Sequence, residues 1–80
     1  MVQQILRLPA VKMTSGLSRS SLYLRISEGL WPKPVSLGGR SVGWPESEIS
    51  AVNAARIAGK SNEEIRQLVV RLEAARKLQG

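Results

Sequence analysis

Residues 30–45, LWPKPVSLGGRSVGWP, constrain the fold of this chain more than any other stretch. Pro32 and Pro34 exclude a helix and favour extended backbone, because proline lacks an amide hydrogen and restricts the residue before it. Apolar residues then alternate with small ones on both sides of Gly38–Gly39, which predicts a β-hairpin. Either a two-residue turn or a four-residue loop is expected to keep the apolar side chains on one face. These side chains are Val35, Leu37, Val42 and Trp44.

Two short helices are predicted before the hairpin. The first tolerates Pro9 near its start, where a missing amide hydrogen costs nothing. Gly16 is expected to end it, because glycine adopts the left-handed conformation that follows many helices. Ser18 is a favoured N-cap for the second helix, which neither proline nor glycine interrupts until Gly29. The order is therefore helix, tight turn, helix.

A third helix is predicted to begin at Pro45, since proline suits the first helical position. Glu46 and Glu48 follow in its first turn, where carboxylates interact favourably with the helix dipole, and this interpretation is preferred to a catalytic pair. Three apolar residues are expected to form the packing face of this helix: Ile49, Val52 and Ile57.

Ser61 and Glu64 form the S-x-x-E capping box of a fourth helix, in which apolar residues recur with helical spacing. This stripe contains Ile65, Leu68, Val69 and Leu72. Either it packs against its own domain, or it pairs with the same helix of a second chain and forms a homodimer interface. We therefore predict a compact unit over residues 1–59 and an appended helix for packing or dimerisation over residues 60–80.

The residue types that the chain lacks exclude several classes of catalytic and metal site. The chain has no Cys, His or Asp, which removes disulfides, thiol nucleophiles, imidazole bases and the usual zinc ligands. We predict no catalytic residue, metal or cofactor, and hence no enzyme. No apolar run has the length of a membrane span, and the N-terminus lacks a secretory signal, so we predict a cytoplasmic protein without a membrane partner.

The charge is unevenly distributed. Twelve basic residues against six acidic ones leave a net charge of +6. Residues 1–45 contain six of the basic residues and Glu28 as their single acidic residue. This half of the chain is therefore the candidate surface for a polyanion.

The second helix has an outer face that suits a DNA major groove. At 100° per residue, Leu22 and Ile26 define its buried stripe. Four residues point outward: Ser20, Tyr23, Leu24 and Ser27. Small hydroxyl groups with one aromatic ring permit close approach and hydrogen bonding to base edges, although a solvated helix face is the alternative interpretation.

The DNA contacts expected from these patterns fall into two groups. Arg19, Ser20 and Tyr23 would approach base edges from the first turns of the second helix, and Ser18 at the start of this helix is also expected to contact DNA. Phosphates would be held by basic residues on this helix and at the hairpin, with Gly39 allowing the hairpin tip to lie close to the backbone. The basic residues are Arg25, Lys33 and Arg40. An ordinary glycine-rich turn is the alternative for the tip.

Three stretches, SGLSRSSLY, GLWPKPVSLGGRSVGW and PESEI, together resemble the AlpA family of phage and prophage regulators. The resemblance extends over residues 6–58 and implies a mainly α fold with a small β-hairpin: a winged helix-turn-helix similar to excisionases and MerR regulators. It implies a recognition helix at Ser18–Glu28 and a wing tip at Gly38–Ser41. The C-terminal helix is an addition that the resemblance does not cover.

The resemblance also implies a function. The expected role is a sequence-specific double-stranded DNA-binding regulator of a phage, prophage or mobile element, controlling integrase expression or excision. Such a protein would be bacterial and nucleoid-associated when bound to DNA. The alternative is an excision adaptor that acts mainly through protein contacts with an integrase or RNA polymerase.

Overall fold

The computed structural model describes residues 4–79, which form four helices and three short strands. The helices are α1 (Leu8–Ser15), α2 (Arg19–Ser27), α3 (Glu46–Ile57) and α4 (Asn62–Gln79). The strands are β1 (Ile5–Leu6), β2 (Val35–Gly38) and β3 (Ser41–Pro45), in one antiparallel sheet of order β1-β3-β2. The predicted mainly helical architecture with a hairpin is confirmed. Within residues 4–79 no helix combines the length and apolar character needed to cross a membrane.

The ends of the first two helices follow their local sequence signals. Gly16 caps α1 in the left-handed conformation, with φ of 71°. The Ser18 hydroxyl accepts a hydrogen bond from the Ser21 amide at 3.3 Å, which satisfies one of the free amide groups at the start of α2. The turn between α1 and α2 is therefore short, as predicted.

The hairpin forms with a register that differs from the expected one. Val35 pairs with Gly43 and Ser36 pairs with Val42, while Leu37 is left out of the pairing as a β-bulge. A one-residue shift moves side chains to the opposite face, so Val35 lies across from Gly43 and on the other face from Val42. The expectation that all four apolar side chains share one face was therefore wrong.

Gly43 makes room for the third strand. A Cβ at this position would lie 2.5 Å from Cγ2 of Ile5 and 3.2 Å from Cδ1 of Leu37. Glycine therefore allows β1 to lie against β3, where Leu6 pairs with Trp44. Sequence analysis missed β1, because a strand of two residues is too short to show periodicity.

The core lies between the helices and the sheet, and α4 contributes to it. Its buried apolar residues are Val11, Leu22, Leu30, Trp31, Trp44, Ile49, Val52, Ile65 and Val69. Ile65 and Val69 are 0% and 3% exposed within the single chain, and Leu68 and Leu72 pack beside them. The stripe on α4 therefore packs against its own domain. Ile65 and Val69 therefore leave almost no surface for a partner chain, whereas Leu68 and Leu72 are only partly buried, and a homodimer through α4 stays a prediction.

The packing face of α3 is shorter than expected. Ile49 and Val52 are buried as predicted, whereas Ile57 is 87% exposed. Five residues after Val52 a helix has turned by about 140°, so Ile57 points away from the core. Its assignment to the packing face was wrong.

An ion pair joins α4 to α3. Glu48 is 3% exposed, and its Oε2 accepts a hydrogen bond from Nε of Arg76 at 2.8 Å. The Arg76 Nη2 atom also donates to the other Glu48 oxygen, and to the Lys33 carbonyl at 2.7 Å. The hydrogen bond to Glu48 raises the pKa of Arg76. Sequence analysis assigned Glu48 to the helix dipole alone, although its position four residues before Val52 places it on the buried face of α3.

Candidate nucleic-acid interface

The outer face of α2 is the centre of the candidate site. Leu22 is fully buried below it, and Ile26 packs against the same core. On the opposite side Tyr23 is 37% exposed and Leu24 is 59% exposed. The helix therefore has the buried stripe and the outward face that its sequence predicts.

Four of the predicted contact residues line one surface depression at the start of α2: Ser18, Arg19, Ser20 and Tyr23. The Arg19 guanidinium lies 5.8 Å from the centre of the Tyr23 ring, which is the range of a cation–π contact. This contact holds a positive charge beside an aromatic ring at the N-terminal end of a helix. Such a surface offers donors, a hydroxyl group and a flat apolar face to a base pair.

Hydrogen bonds between neighbouring serines order the hydroxyl groups at the start of α2. The Ser18 hydroxyl donates to the Ser21 hydroxyl at 3.0 Å, and it lies 3.4 Å from the Ser20 hydroxyl. Hydroxyl groups rotate readily and can accept a second hydrogen bond, so they remain available to an incoming donor.

The hairpin tip is an exposed basic loop. Gly38 and Gly39 have φ values of 105° and 56°, a conformation in which a side chain would be strained. Arg40 follows them, and its side chain is exposed. The glycines let the backbone turn within two residues, so the arginine is presented at the far end of the sheet.

Lys33 lies at the entry to the hairpin, where α4 holds its backbone. The Lys33 amide donates to Oε2 of Glu73 at 2.9 Å, and its carbonyl accepts from Arg76. The Lys33 side chain itself is exposed. Glu73 and Arg76 were missed by sequence analysis as positioning residues, because their partner lies about forty residues earlier in the chain.

Arg25 is separated from the other predicted contacts. It follows Tyr23 by two positions, which places it about 160° away around α2. Its side chain is half-buried and lines a pocket beside Arg56 of α3. The structure thus groups four predicted contact residues at the start of α2 and puts Arg25 on the other flank of the helix. It places Lys33 before β2 and Arg40 in the turn between β2 and β3.

Comparison with known families identifies the family of this chain. A family model described as Prophage CP4-57 regulatory protein (AlpA) matches residues 4–56. The chain belongs to the AlpA family. The resemblance expected from the sequence motifs is thereby confirmed. The matched region of this AlpA-family chain contains both candidate elements, the outer face of α2 and the hairpin, and ends before α4.

Two relatives show how far the similarity extends. The chain is 48% identical over 58 residues to a protein of Enterobacteria phage P4 named "Uncharacterized protein ORF88", a match that spans 72% of this chain and 66% of that protein. It is 40% identical over 52 residues to the "DNA-binding transcriptional activator AlpA" of Escherichia coli strain K12, spanning 58% and 74% of the two chains. No solved structure matches the chain.

Proposed function

We propose that this AlpA-family chain binds double-stranded DNA sequence-specifically and regulates a phage, prophage or other mobile element. One observation carries the proposal: the exposed depression at the start of α2, where Arg19 contacts the Tyr23 ring between serine hydroxyl groups. A relative with the printed name of a DNA-binding transcriptional activator supports it. The regulated process implied by the family resemblance is integrase expression or excision, carried out on DNA in the bacterial cytoplasm.

The proposed binding mode is that of a winged helix-turn-helix. α1 and α2 form the helix-turn-helix, α2 enters the major groove, and the hairpin acts as a wing on the phosphate backbone or in the adjacent minor groove. The longest dimension of the molecule is 34 Å, close to one turn of B-DNA. One chain is therefore expected to protect about ten base pairs.

The direct test is binding of the full chain to duplexes from its native locus. We expect specific binding that weakens with salt, with a slope of log affinity against log salt of about −4 to −5 if four to six phosphates are neutralised. Fluorescence anisotropy with specific and scrambled duplexes measures both quantities. Failure to bind any native duplex in dilute buffer would overturn the proposal.

Tyr23 is expected to contribute to discrimination between sequences. Replacing Tyr23 with alanine should lower the ratio of specific to scrambled affinity by about 5- to 30-fold, since it removes a base-edge contact worth about 1–2 kcal/mol. Tyr23→Phe is the matched control, because it keeps the ring beside Arg19 and removes only the hydroxyl group. Equal losses on specific and scrambled duplexes for Tyr23→Ala would contradict the assigned role.

Arg40 is expected to contribute affinity without discrimination. Arg40→Ala should weaken binding to every duplex alike and flatten the salt slope by about one unit, as loss of one phosphate contact requires. Arg71→Ala removes the same charge from the exposed surface of α4 and should leave the slope unchanged. A hairpin tip that does not contact DNA would make the two variants indistinguishable.

An adaptor role is the second candidate, and one observation favours it. Val70 is 64% exposed on the outer side of α4, where Gln67 and Arg71 border a shallow groove. An integrase or RNA polymerase could contact this face while DNA binding proceeds elsewhere, and a homodimer through α4 would also have to use it. Val70→Glu should abolish such a protein contact and leave binding to DNA alone unchanged.

A further inference from the structure

A pocket of about 340 Å³ lies between the α1–α2 turn and α3, on the flank of α2 away from Tyr23. Its walls include Thr14, Leu17, Arg25, Trp31, Asn53 and Arg56. The volume is that of a small-ligand site. Of the residues predicted to contact DNA, only Arg25 lines it.

Two buried donors at this pocket lack an acceptor. The Trp31 side chain is 3% exposed, and its Nε1 has no hydrogen-bond partner among the described residues. The same holds for Nη2 of Arg56, whose Nη1 donates to Oδ1 of Asn62 at 3.3 Å. An indole and a guanidinium can only donate, and both atoms have almost no accessible surface, so an acceptor in the pocket would reach them only after a movement of the side chains.

The pocket also concentrates positive charge. Arg25 and Arg56 both line it, and within residues 4–77 no carboxylate oxygen lies within 4.0 Å of either guanidinium. Glu28 lies beside them in the neighbouring groove, and it forms no ion pair with either. Burial and the nearby charge of Arg25 lower the pKa of Arg56. An anion in the pocket would compensate both arginines.

We propose that this pocket binds one phosphate group through the guanidinium groups of Arg25 and Arg56, beside the Trp31 indole. A phosphate supplies several acceptor oxygens and negative charge, which match two arginines that have no carboxylate partner in the described part of the chain. The apolar walls of Leu17 and Trp31 strengthen these contacts by excluding water. The phosphate belongs either to the DNA backbone beside α2 or to a small free anion, and only the first source rests on the proposed function.

The indole N–H groups of the two tryptophans can be observed separately, Trp31 as the reporter of the pocket and Trp44 as the internal control. Trp44 is also fully buried, but its Nε1 already donates to the Pro32 carbonyl at 2.8 Å. In a ¹⁵N–¹H correlation spectrum of the full chain, inorganic phosphate should therefore move the Trp31 indole signal saturably and leave that of Trp44 in place. Sodium chloride of equal ionic strength should move neither.

Matched variants connect the signal to the pocket. Arg25→Gln and Arg56→Gln should each weaken phosphate binding by about tenfold, as expected for loss of a charge-assisted hydrogen bond. Arg71→Gln removes an equal charge outside the pocket and should bind phosphate like the original chain. An unchanged Trp44 signal shows that each variant is folded.

A duplex titration separates the two sources. If the phosphate is that of DNA, a native duplex moves the Trp31 signal, and Arg25→Gln both abolishes that movement and flattens the salt slope by about one unit. If it is a free anion, inorganic phosphate moves the signal and Arg25→Gln leaves duplex binding unchanged. If neither inorganic phosphate nor the native duplex moves the Trp31 signal, the proposed phosphate site is wrong. Fluorescence anisotropy then tests DNA binding separately.

Discussion

Deletion of residues 60–80 is expected to leave a chain that no longer unfolds cooperatively. The deletion removes Ile65 and Val69, which are almost fully buried in the core. Truncation of a single buried aliphatic side chain commonly costs about 2–5 kcal/mol, and a domain of this size has a total stability of about 5–15 kcal/mol. The free energy lost with both side chains, and with the ion pair that α4 makes with Glu48, should exceed the total stability of the domain.

Circular dichroism during thermal and urea unfolding measures this effect. The full chain should show one sigmoidal transition and the truncated chain a gradual, uncooperative loss of signal. A fragment of residues 1–59 with a transition like that of the full chain would contradict the expectation. Loss of DNA binding by the fragment is then a consequence of unfolding, and surface variants are the better test of the interface.

Neighbouring valines on α4 provide a matched pair of point variants. Val69 is 3% exposed and Val70 is 64% exposed. Val69→Ala should lower the free energy of unfolding by about 2 kcal/mol, whereas the same change at Val70 should alter it by less than about 0.5 kcal/mol. Equal effects at the two positions would mean that α4 does not pack as the structure has it.

Arg76→Ala is expected to lower the free energy of unfolding by about 2–4 kcal/mol. The substitution leaves the Glu48 carboxylate buried without its partner, and removal of one member of a buried ion pair is usually costly for this reason. The Lys33 carbonyl also loses its donor, which loosens the entry to the hairpin.

The controls separate the buried ion pair from a general loss of charge. Arg71→Ala removes an exposed arginine from the same helix and should change stability by less than about 0.5 kcal/mol. A double variant with methionine at both Glu48 and Arg76 should recover most of the loss, because apolar replacements of similar volume remove the uncompensated charge. Similar melting curves for Arg76→Ala and Arg71→Ala would refute the assigned role of Arg76.

Features with local causes were predictable from the sequence. The Ser18 cap, the left-handed Gly16 and the capping box of Ser61 and Glu64 each depend on residues within one helical turn, and the structure contains all of them. The two faces of α2 were predictable for the same reason, since helical spacing alone places Leu22 opposite the exposed residues.

The register of the hairpin could not be predicted from local sequence. Alternating residues around two glycines were sufficient to predict two strands and a turn, but the two registers that fit that pattern both differ from the observed one. The bulge at Leu37 selects the observed register, and with it Gly43 meets Ile5 of β1. A two-residue strand and a single bulge leave no periodic signal, so only the assembled sheet shows them.

By itself, the sequence determined the order of the four helices and the hairpin, the caps at Gly16, Ser18 and Ser61, the basic first half and the outward face of α2, because each follows from neighbouring residues. Only the tertiary structure decided that α4 folds back, that Glu48 is joined to Arg76, and that Arg25 lies beside Arg56. These contacts join residues about thirty positions apart. An amphipathic stripe or a charged residue shows that it needs a partner, and only the folded chain shows which partner it has.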